Sequence, residues 1–411
     1  MNITLTLRIL GALLLFLAIA LLVPVPFSWF YGDGAAGAFC LSAIISAGCG
    51  GLLYSRFRSA SDLSVREGFA VVTFGWTFFA LFGALPFVFS GAIASFLNAF
   101  FETMSGFTTT GSTILTDIEA MPPSLLLWRS LTQWLGGMGI IVLSLAILPM
   151  LGVGGMQLFK AEVPGPTADR LKPRIQDTAK LLWGVYVLLT GAEVILLMVG
   201  GMGFFDGINH AFTTMATGGF STRNASVAAY DSAFIDWVIT LFMFLAGVNF
   251  SLHYLALRGK LGDFIRNEEF LFFSGLAMLG TLLIALLNMG GTYADFFDNL
   301  RYSAFQVVSI LTTTGFGTAD YELWPVLCQY LLVFAMFIGG CAGSTGGGMK
   351  VARILLLFTH AHVQVSRLIH PRAGRLVKRG TRPVAKDVMP VSYTHLTRPT
   401  TIPAWGGGGG G

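Results

Sequence analysis

Apolar residues run almost unbroken at about 9–25, 35–54, 68–90, 123–151, 179–202, 233–257, 269–289 and 323–358. A bilayer core about 30 Å thick needs about 20 apolar residues per helical span, so these runs predict eight spans. The last is unusually long and broken by glycine. The first has only Arg8 ahead of it and ends in Pro24-Val25-Pro26, with no small-residue cleavage pattern, so it reads as a retained helix rather than a leader.

Three shorter segments, Ala94 to Gly111, Phe205 to Gly218 and Phe296 to Gly315, are too short to cross, yet too apolar for free loops. They read as re-entrant half-helices. Each ends in a threonine and glycine motif: Phe107-Thr108-Thr109-Thr110-Gly111-Ser112-Thr113, Thr214-Met215-Ala216-Thr217-Gly218-Gly219-Phe220, and Leu311-Thr312-Thr313-Thr314-Gly315-Phe316-Gly317. With Gly111, Gly218 and Gly315 taken as equivalent, the spacings are 107 and 97 residues, an internal repeat of span, half-helix, strand and span. At that period a fourth motif is expected shortly beyond residue 411.

Composition agrees. Among 411 residues 54% are hydrophobic and only 11% charged, with a mean hydropathy of +0.73, which excludes an ordinary soluble enzyme. In lipid every backbone group needs an internal partner, so the 51 glycines belong partly to helix contacts and to irregular backbone lining a cavity. Cys40, Cys49, Cys328 and Cys341 lie inside apolar runs with no metal spacing and read as small buried hydrophobes.

Lys and Arg accumulate in cytoplasmic loops. With the N-terminus inside, all basic residues before Arg398 except Arg129, Arg223 and Arg301 fall on the cytoplasmic side, 21 against 3. The outer side then carries eleven acids: Asp33, Glu102, Asp117, Glu119, Asp206, Asp231, Asp236, Asp295, Asp298, Asp320 and Glu322, a sign that concentrates cations.

The threonine and glycine motifs fit ion chemistry. A monovalent cation sheds its water only into rings of oxygens; carbonyls supply them where glycine frees the backbone, and threonine hydroxyls extend the ladder. The carbonyl end of a half-helix adds partial negative charge. Close helix packing is the other use of such residues, but three copies at one period favour the ion reading.

Four stretches carry a resemblance: Glu102 to Thr113, Trp134-Leu135-Gly136-Gly137-Met138-Gly139-Ile140, Ala216 to Thr222, and Gly339 to Lys350. They are similar to the TrkH-type subunits of bacterial Trk potassium uptake systems, over residues 1 to about 388. The resemblance implies an all-α polytopic membrane protein of the superfamily that includes the Ktr and plant HKT transporters, in which four span-pore-span repeats surround one potassium pathway. On that reading residues 1–66 are two N-terminal helices, 67–156, 157–262 and 263–358 are repeats one to three, 359–390 is a basic cytoplasmic segment, and 391–411 is a non-native tail without family likeness.

The resemblance also implies the site. Thr109, Thr110, Gly111 and Ser112, then Ala216, Thr217, Gly218 and Gly219, then Thr313, Thr314, Gly315 and Phe316 become three walls of a selectivity filter for potassium. The residues after the central glycines, Ser112, Gly219 and Phe316, depart from the uniform loop of tetrameric potassium channels, so weaker discrimination against sodium is expected. Six glycines between Gly339 and Lys350 argue against a continuous helix, since each costs about 1 kcal/mol relative to alanine. In the family this segment is an intramembrane gate, here Gly339, Gly340, Gly343, Ser344, Thr345, Gly346, Gly347, Gly348 and Lys350, the last marking the cytoplasmic exit. A nucleotide-binding P-loop is the weaker reading, because Met349 separates the glycines from the lysine and Val351 follows it.

The implied setting is the bacterial inner membrane, with potassium as substrate, no cofactor, a homodimer, and a ring of cytosolic nucleotide-binding, TrkA-like regulatory subunits. The final helix of the family carries an arginine that meets the gate, and no residue up to 411 inherits that role, so this chain reads as a fragment lacking the fourth wall and not conducting.

Other residues are open between two readings. Glu193, inside the fifth run, either meets a cation or pairs with a neighbouring helix. Arg129 and Gln133, one turn apart, either brace a filter strand or anchor at the surface. His360, His362 and His370 lie in a basic segment with Arg367, Arg372, Arg375, Lys378, Arg379 and Arg382, which meets lipid headgroups or the regulatory ring, as does the loop 157–180 with Lys160, Arg170, Lys172 and Arg174. The alternative function, a sodium- or proton-coupled secondary transporter, predicts inverted repeats, whereas these three all begin inside. A membrane enzyme ranks last, because the interior offers little beyond Glu193.

Overall fold

The computed structural model describes residues 2–57, 65–137, 139, 175–289, 293, 295–369, 378–379 and 382–383. The rear half of the fourth apolar run, the basic residues of the loop 157–180 up to Arg174, most of the basic segment after Ile369 and the tail 391–411 lie outside them.

The regular structure of the described chain is helical apart from a ribbon pairing Lys378–Arg379 with Arg382–Pro383. Helices Ile3–Ala20 and Ala36–Arg56 form a hairpin, joined through the short helix Val25–Tyr31. Its seam is made by glycine: a Cβ on Gly11 would lie 2.8 Å from the Gly50 carbonyl oxygen, and one on Gly50 as close to that of Gly11. In lipid, where apolar side chains gain little from meeting one another, such backbone contact is a main source of helix association.

Three span-pore units follow. The first has Val65–Gly83, the pore helix Phe96–Phe107 and Pro123–Gly137; the second has Ile175–Val199, the pore helix Phe204–Met215 and the pair Ala233–Ala246 and Phe250–Leu257; the third has Glu268–Asn288, the pore helix Phe296–Leu311 and the pair Val326–Met336 and Val351–Ile369. Pore helices of 12, 12 and 16 residues are too short to span. Caps start two of them: the Ser95 hydroxyl accepts from Asn98 N–H, and the Asp295 carboxylate from Phe297 and Asp298 N–H. Pro123–Gly137 of the first repeat packs on the second pore helix, and Ala233–Ala246 of the second repeat on the third, so the first repeat buttresses the second and the second the third.

Five described helices are long and apolar enough to cross a membrane. The run at 233–257, read from hydropathy as one continuous span, is instead two helices bent by 104°. Gly247 closes the first on the Met243 carbonyl, and the Asn249 side chain caps the second by accepting from Ser251 N–H at 2.8 Å. Gly247 also has no room for a side chain, its Cβ position lying 2.9 Å from Phe273 Cζ and from Thr312 Cγ2. Hydropathy is blind to this break, because Val248 and Phe250 keep the run apolar. The glycine-rich break in the last run is found where composition places it, between Met336 and Val351.

Candidate cation pathway

All three pore helices end alike. Thr109, Thr217 and Thr313 have φ of 53°, 52° and 61°, a left-handed conformation that is rare for β-branched residues and costs roughly 1–2 kcal/mol each. Their N–H groups donate to Gly106, Thr214 and Ile310 carbonyls, and the next residues, Thr110, Gly218 and Thr314, donate to Ser105, Thr213 and Ser309 carbonyls at 2.9, 2.9 and 2.8 Å. This is the Schellman helix end, with threonine where glycine is usual. Gly111, Gly219 and Gly315, at φ of 80°, 75° and 85°, turn the chain again two residues later.

These angles correct the sequence register. Gly111 and Gly315 are matched in the second repeat by Gly219, not Gly218, so the residues after the turning glycine are Ser112, Phe220 and Phe316, and the second wall shifts by one to Thr217, Gly218, Gly219 and Phe220, with Ala216 capping its helix. Two adjacent glycines left the alignment ambiguous. Gly218 is glycine for space: its Cβ position lies 2.3 Å from Gln133 Cδ.

The structure brings the walls together in order. A Cβ on Gly111 would lie 2.4 Å from the Gly218 carbonyl oxygen, and one on Gly219 would lie 2.0 Å from that of Thr314. Backbone carbonyls of successive walls therefore crowd at the level of the turning glycines, beneath three helix C-termini, which is an environment for a cation.

Each strand is tied to its pore helix from the position nine residues before the turning glycine, occupied by Glu102, His210 and Gln306. Glu102 accepts from Thr113 Oγ1 at 2.8 Å and Ile114 N–H at 3.0 Å, and Gln306 donates to the Ala319 carbonyl at 3.1 Å. His210 Nδ1 donates to the Asp206 carbonyl at 2.8 Å, which in the neutral ring leaves Nε2 to accept from the Ser221 hydroxyl at 3.0 Å. His210 and Gln306 were not singled out from sequence; their shared offset becomes visible only in the corrected register.

Arg129 and Gln133 prove to be braces rather than surface anchors. Arg129 is 3% exposed; its Nε donates to Glu102 Oε1 at 2.6 Å, its Nη1 to the Ser221 carbonyl at 3.1 Å, and its guanidinium lies 3.5 Å over the Phe220 ring. Gln133 Nε2 donates to the Gly218 carbonyl at 2.8 Å, and its Oε1 accepts from Phe220 N–H at 3.1 Å. Glu193 is fully buried beside Thr214 of the second pore helix, and no Lys or Arg among the described residues pairs with it.

The glycine-rich loop sits against this assembly. Gly347 N–H donates to Thr313 Oγ1 at 2.7 Å, and Thr345 Oγ1 to the carbonyls of Met215 at 3.0 Å and Ala246 at 3.2 Å. Cys341 N–H reaches the Gly247 carbonyl at 2.8 Å, Phe250 N–H donates to Gly343 at 3.1 Å, and Ala342 N–H to Glu269 Oε1 at 2.6 Å. Gly339 and Gly348 permit the loop to close on itself, since a Cβ on Gly339 would overlap the Gly347 carbonyl. Lys350 turns back into the loop and donates to the Ser344 and Gly346 carbonyls.

Several acids of the first two repeats are already engaged. Asn224 Nδ2 donates to Asp117 at 2.9 Å and Asn224 N–H to Glu119 at 3.2 Å, linking the first repeat to the second, and Arg223 pairs with Asp206 at 3.0 Å. The Asn224 amide holds the Asp117 carboxyl below its ordinary range. Among the described residues no group of three or more His, Cys, Asp and Glu is arranged to hold a metal ion.

The family model for the TrkH cation transport proteins matches residues 37–292 and 270–394. The chain belongs to the TrkH family. A TrkH relative, the Trk system potassium uptake protein TrkH of Salmonella typhimurium, is 43% identical over 390 residues, 93% of this chain and 80% of that protein. The TrkG protein of Escherichia coli, also named a Trk system potassium uptake protein, is 35% identical over 92% of this chain and 79% of its own length. The crystal structure of the potassium transporter TrkH from Vibrio parahaemolyticus superposes with a TM-score of 0.86 at 37% identity, covering 96% of this chain and 83% of that one.

Proposed function

We propose that the chain is a potassium uptake subunit: a multi-pass membrane transporter, not an enzyme, in which potassium sheds water into carbonyls and hydroxyls of the three walls and the glycine-rich loop gates its exit. The observation that carries this reading is the repetition of one strained helix end, left-handed threonine followed by left-handed glycine, at three adjoining walls. Strain repeated three times is kept where it shapes a site. Potassium is the substrate, and the reading includes no cofactor.

The finer setting follows from charge and family. The bias of basic residues supports an inner-membrane protein with its N-terminus in the cytoplasm. The basic segment 359–390 is the part of the chain we assign to contact with cytosolic nucleotide-binding subunits, and a homodimer is the expected assembly.

The test is growth of a potassium-uptake-deficient bacterium on low potassium, given this chain or the chain with residues beyond 388 exchanged for the corresponding part of the Salmonella typhimurium relative. Growth that is lost on Gly219→Val supports the reading; no growth with either form overturns it.

A further inference from the structure

The three walls are held in two different ways. In the first and third, a pore-helix hydroxyl reaches across the turn: Ser105 Oγ donates to the Ser112 carbonyl at 2.6 Å and Ser309 Oγ to the Phe316 carbonyl at 2.7 Å. The same two walls carry a hydroxyl pair, Thr108 with Thr110 and Thr312 with Thr314, both at 2.8 Å.

The second wall has neither device. Its equivalent hydroxyl, Thr213, is turned back onto the Asn209 and His210 carbonyls at 3.1 Å. The threonine pair is replaced by Ala216 and Gly218. Where Thr110 and Thr314 have side chains, the space at Gly218 is filled by the Gln133 amide, 2.3 to 2.6 Å from the missing Cβ. That amide comes from the preceding repeat, is fully buried, and bonds both flanks of the turn, the Gly218 carbonyl and Phe220 N–H. Arg129, one helical turn away, fixes the next carbonyl, Ser221, and covers the Phe220 ring.

We infer that Gln133, seconded by Arg129, is the positioning residue of the second wall and sets potassium against sodium discrimination there, in place of the hydroxyls that serve the other two. Discrimination depends on how many carbonyls a wall presents and how firmly it holds them. An amide bonded to both flanks fixes the Gly218 peptide, whereas an unbraced glycine pair is the most pliable backbone available. The inference rests on the potassium reading of the same site.

The experiment titrates the detergent-solubilised full chain with potassium and with sodium chloride and reads the rise of its thermal midpoint, from which apparent dissociation constants follow. Gln133→Ala is expected to lower the sodium-to-potassium ratio of these constants about fivefold, the scale of one net hydrogen bond. Gln133→Met keeps the length of the side chain and loses both hydrogen bonds without adding a charge, so it is expected to fold and to lose the same preference. Gly218→Thr alone collides with Gln133 and is expected to lower the ratio; Gly218→Thr with Gln133→Ala is expected to regain part of it. A merely structural role would lower the midpoint in every salt and leave the ratio unchanged. An unchanged ratio in Gln133→Met, or a Gly218→Thr chain that behaves as the parent, overturns the inference alone. No potassium-dependent shift in the parent overturns it together with the potassium reading.

Discussion

Arg129 Nε lies 2.6 Å from Glu102 Oε1 with the two side chains 3% and 0% exposed, a closed ion pair at the join of two repeats. Glu102 holds the first strand through Thr113 and Ile114, and Arg129 holds the second through Ser221. Leaving either charge alone costs about 3–5 kcal/mol at a buried site. Arg129→Met and Glu102→Leu are therefore each expected to lower the thermal midpoint of the solubilised protein severely, and the double variant to recover much of the loss; two independent, additive losses would contradict the pairing.

Gly219 and Gly201 separate two uses of glycine. Gly201, at φ of 94°, has nothing within 4 Å of its Cβ position, whereas that of Gly219, at φ of 75°, falls 2.0 Å from the Thr314 carbonyl oxygen. Gly201→Ala should cost only the left-handed penalty of about 1 kcal/mol. In the form with residues beyond 388 exchanged, Gly219→Ala should also abolish potassium-dependent growth, because the third wall must move, while Gly201→Ala keeps it; equal growth of both variants in that form would refute the close approach.

Thr313 is shared by the third wall and the glycine-rich loop, which donates to its hydroxyl from Gly347 at 2.7 Å. Thr313→Val keeps the shape and removes the acceptor, so the loop should open more readily, by about fivefold for one net hydrogen bond. Modification of Gly347→Cys by a thiol reagent, with and without Thr313→Val, would register this as a faster rate.

Asp33, in the loop before Ala36–Arg56, gives a pH dependence. Burial pushes its carboxyl up, but hydrogen bonds from Ser28, Ser124 and Ala35 outweigh this and hold it below the usual carboxylate range. A lowered folded-state value means stability that is present above the unfolded value, about pH 4, and is lost as pH falls through the folded one. The parent should lose midpoint between about pH 5 and pH 3 more steeply than Asp33→Asn, and parallel profiles would contradict the assignment.

Much of this was legible in the sequence for physical reasons. Apolar runs and short threonine-rich half-helices mark spans and pore helices because the bilayer fixes element length. Six glycines within twelve residues mark the unwound loop. The break at Gly247 was not legible, since it is enforced by Phe273 and Thr312, distant in sequence, while the run stays apolar. Nor was the register of the second wall, because Gly218 and Gly219 are the same residue type serving two purposes, one spatial and one conformational. Gln133 was visible as a candidate from its place beside Arg129, but its two bonds depend on a fold-level meeting of the first repeat with the second.

The loop is sewn to the bent helix of the second repeat mainly by peptide groups: Cys341 N–H to Gly247, Phe250 N–H to Gly343, and Thr345 N–H to Ala246. A seam of this kind is carried by the main chain, so alanine at Cys341 or Phe250 would leave its hydrogen bonds in place, whereas Gly247 and Gly343 admit no side chain without strain. Chemistry that alters the main chain, such as proline or an amide-to-ester exchange at residue 341 or 250, would read how firmly the loop is held against the second repeat.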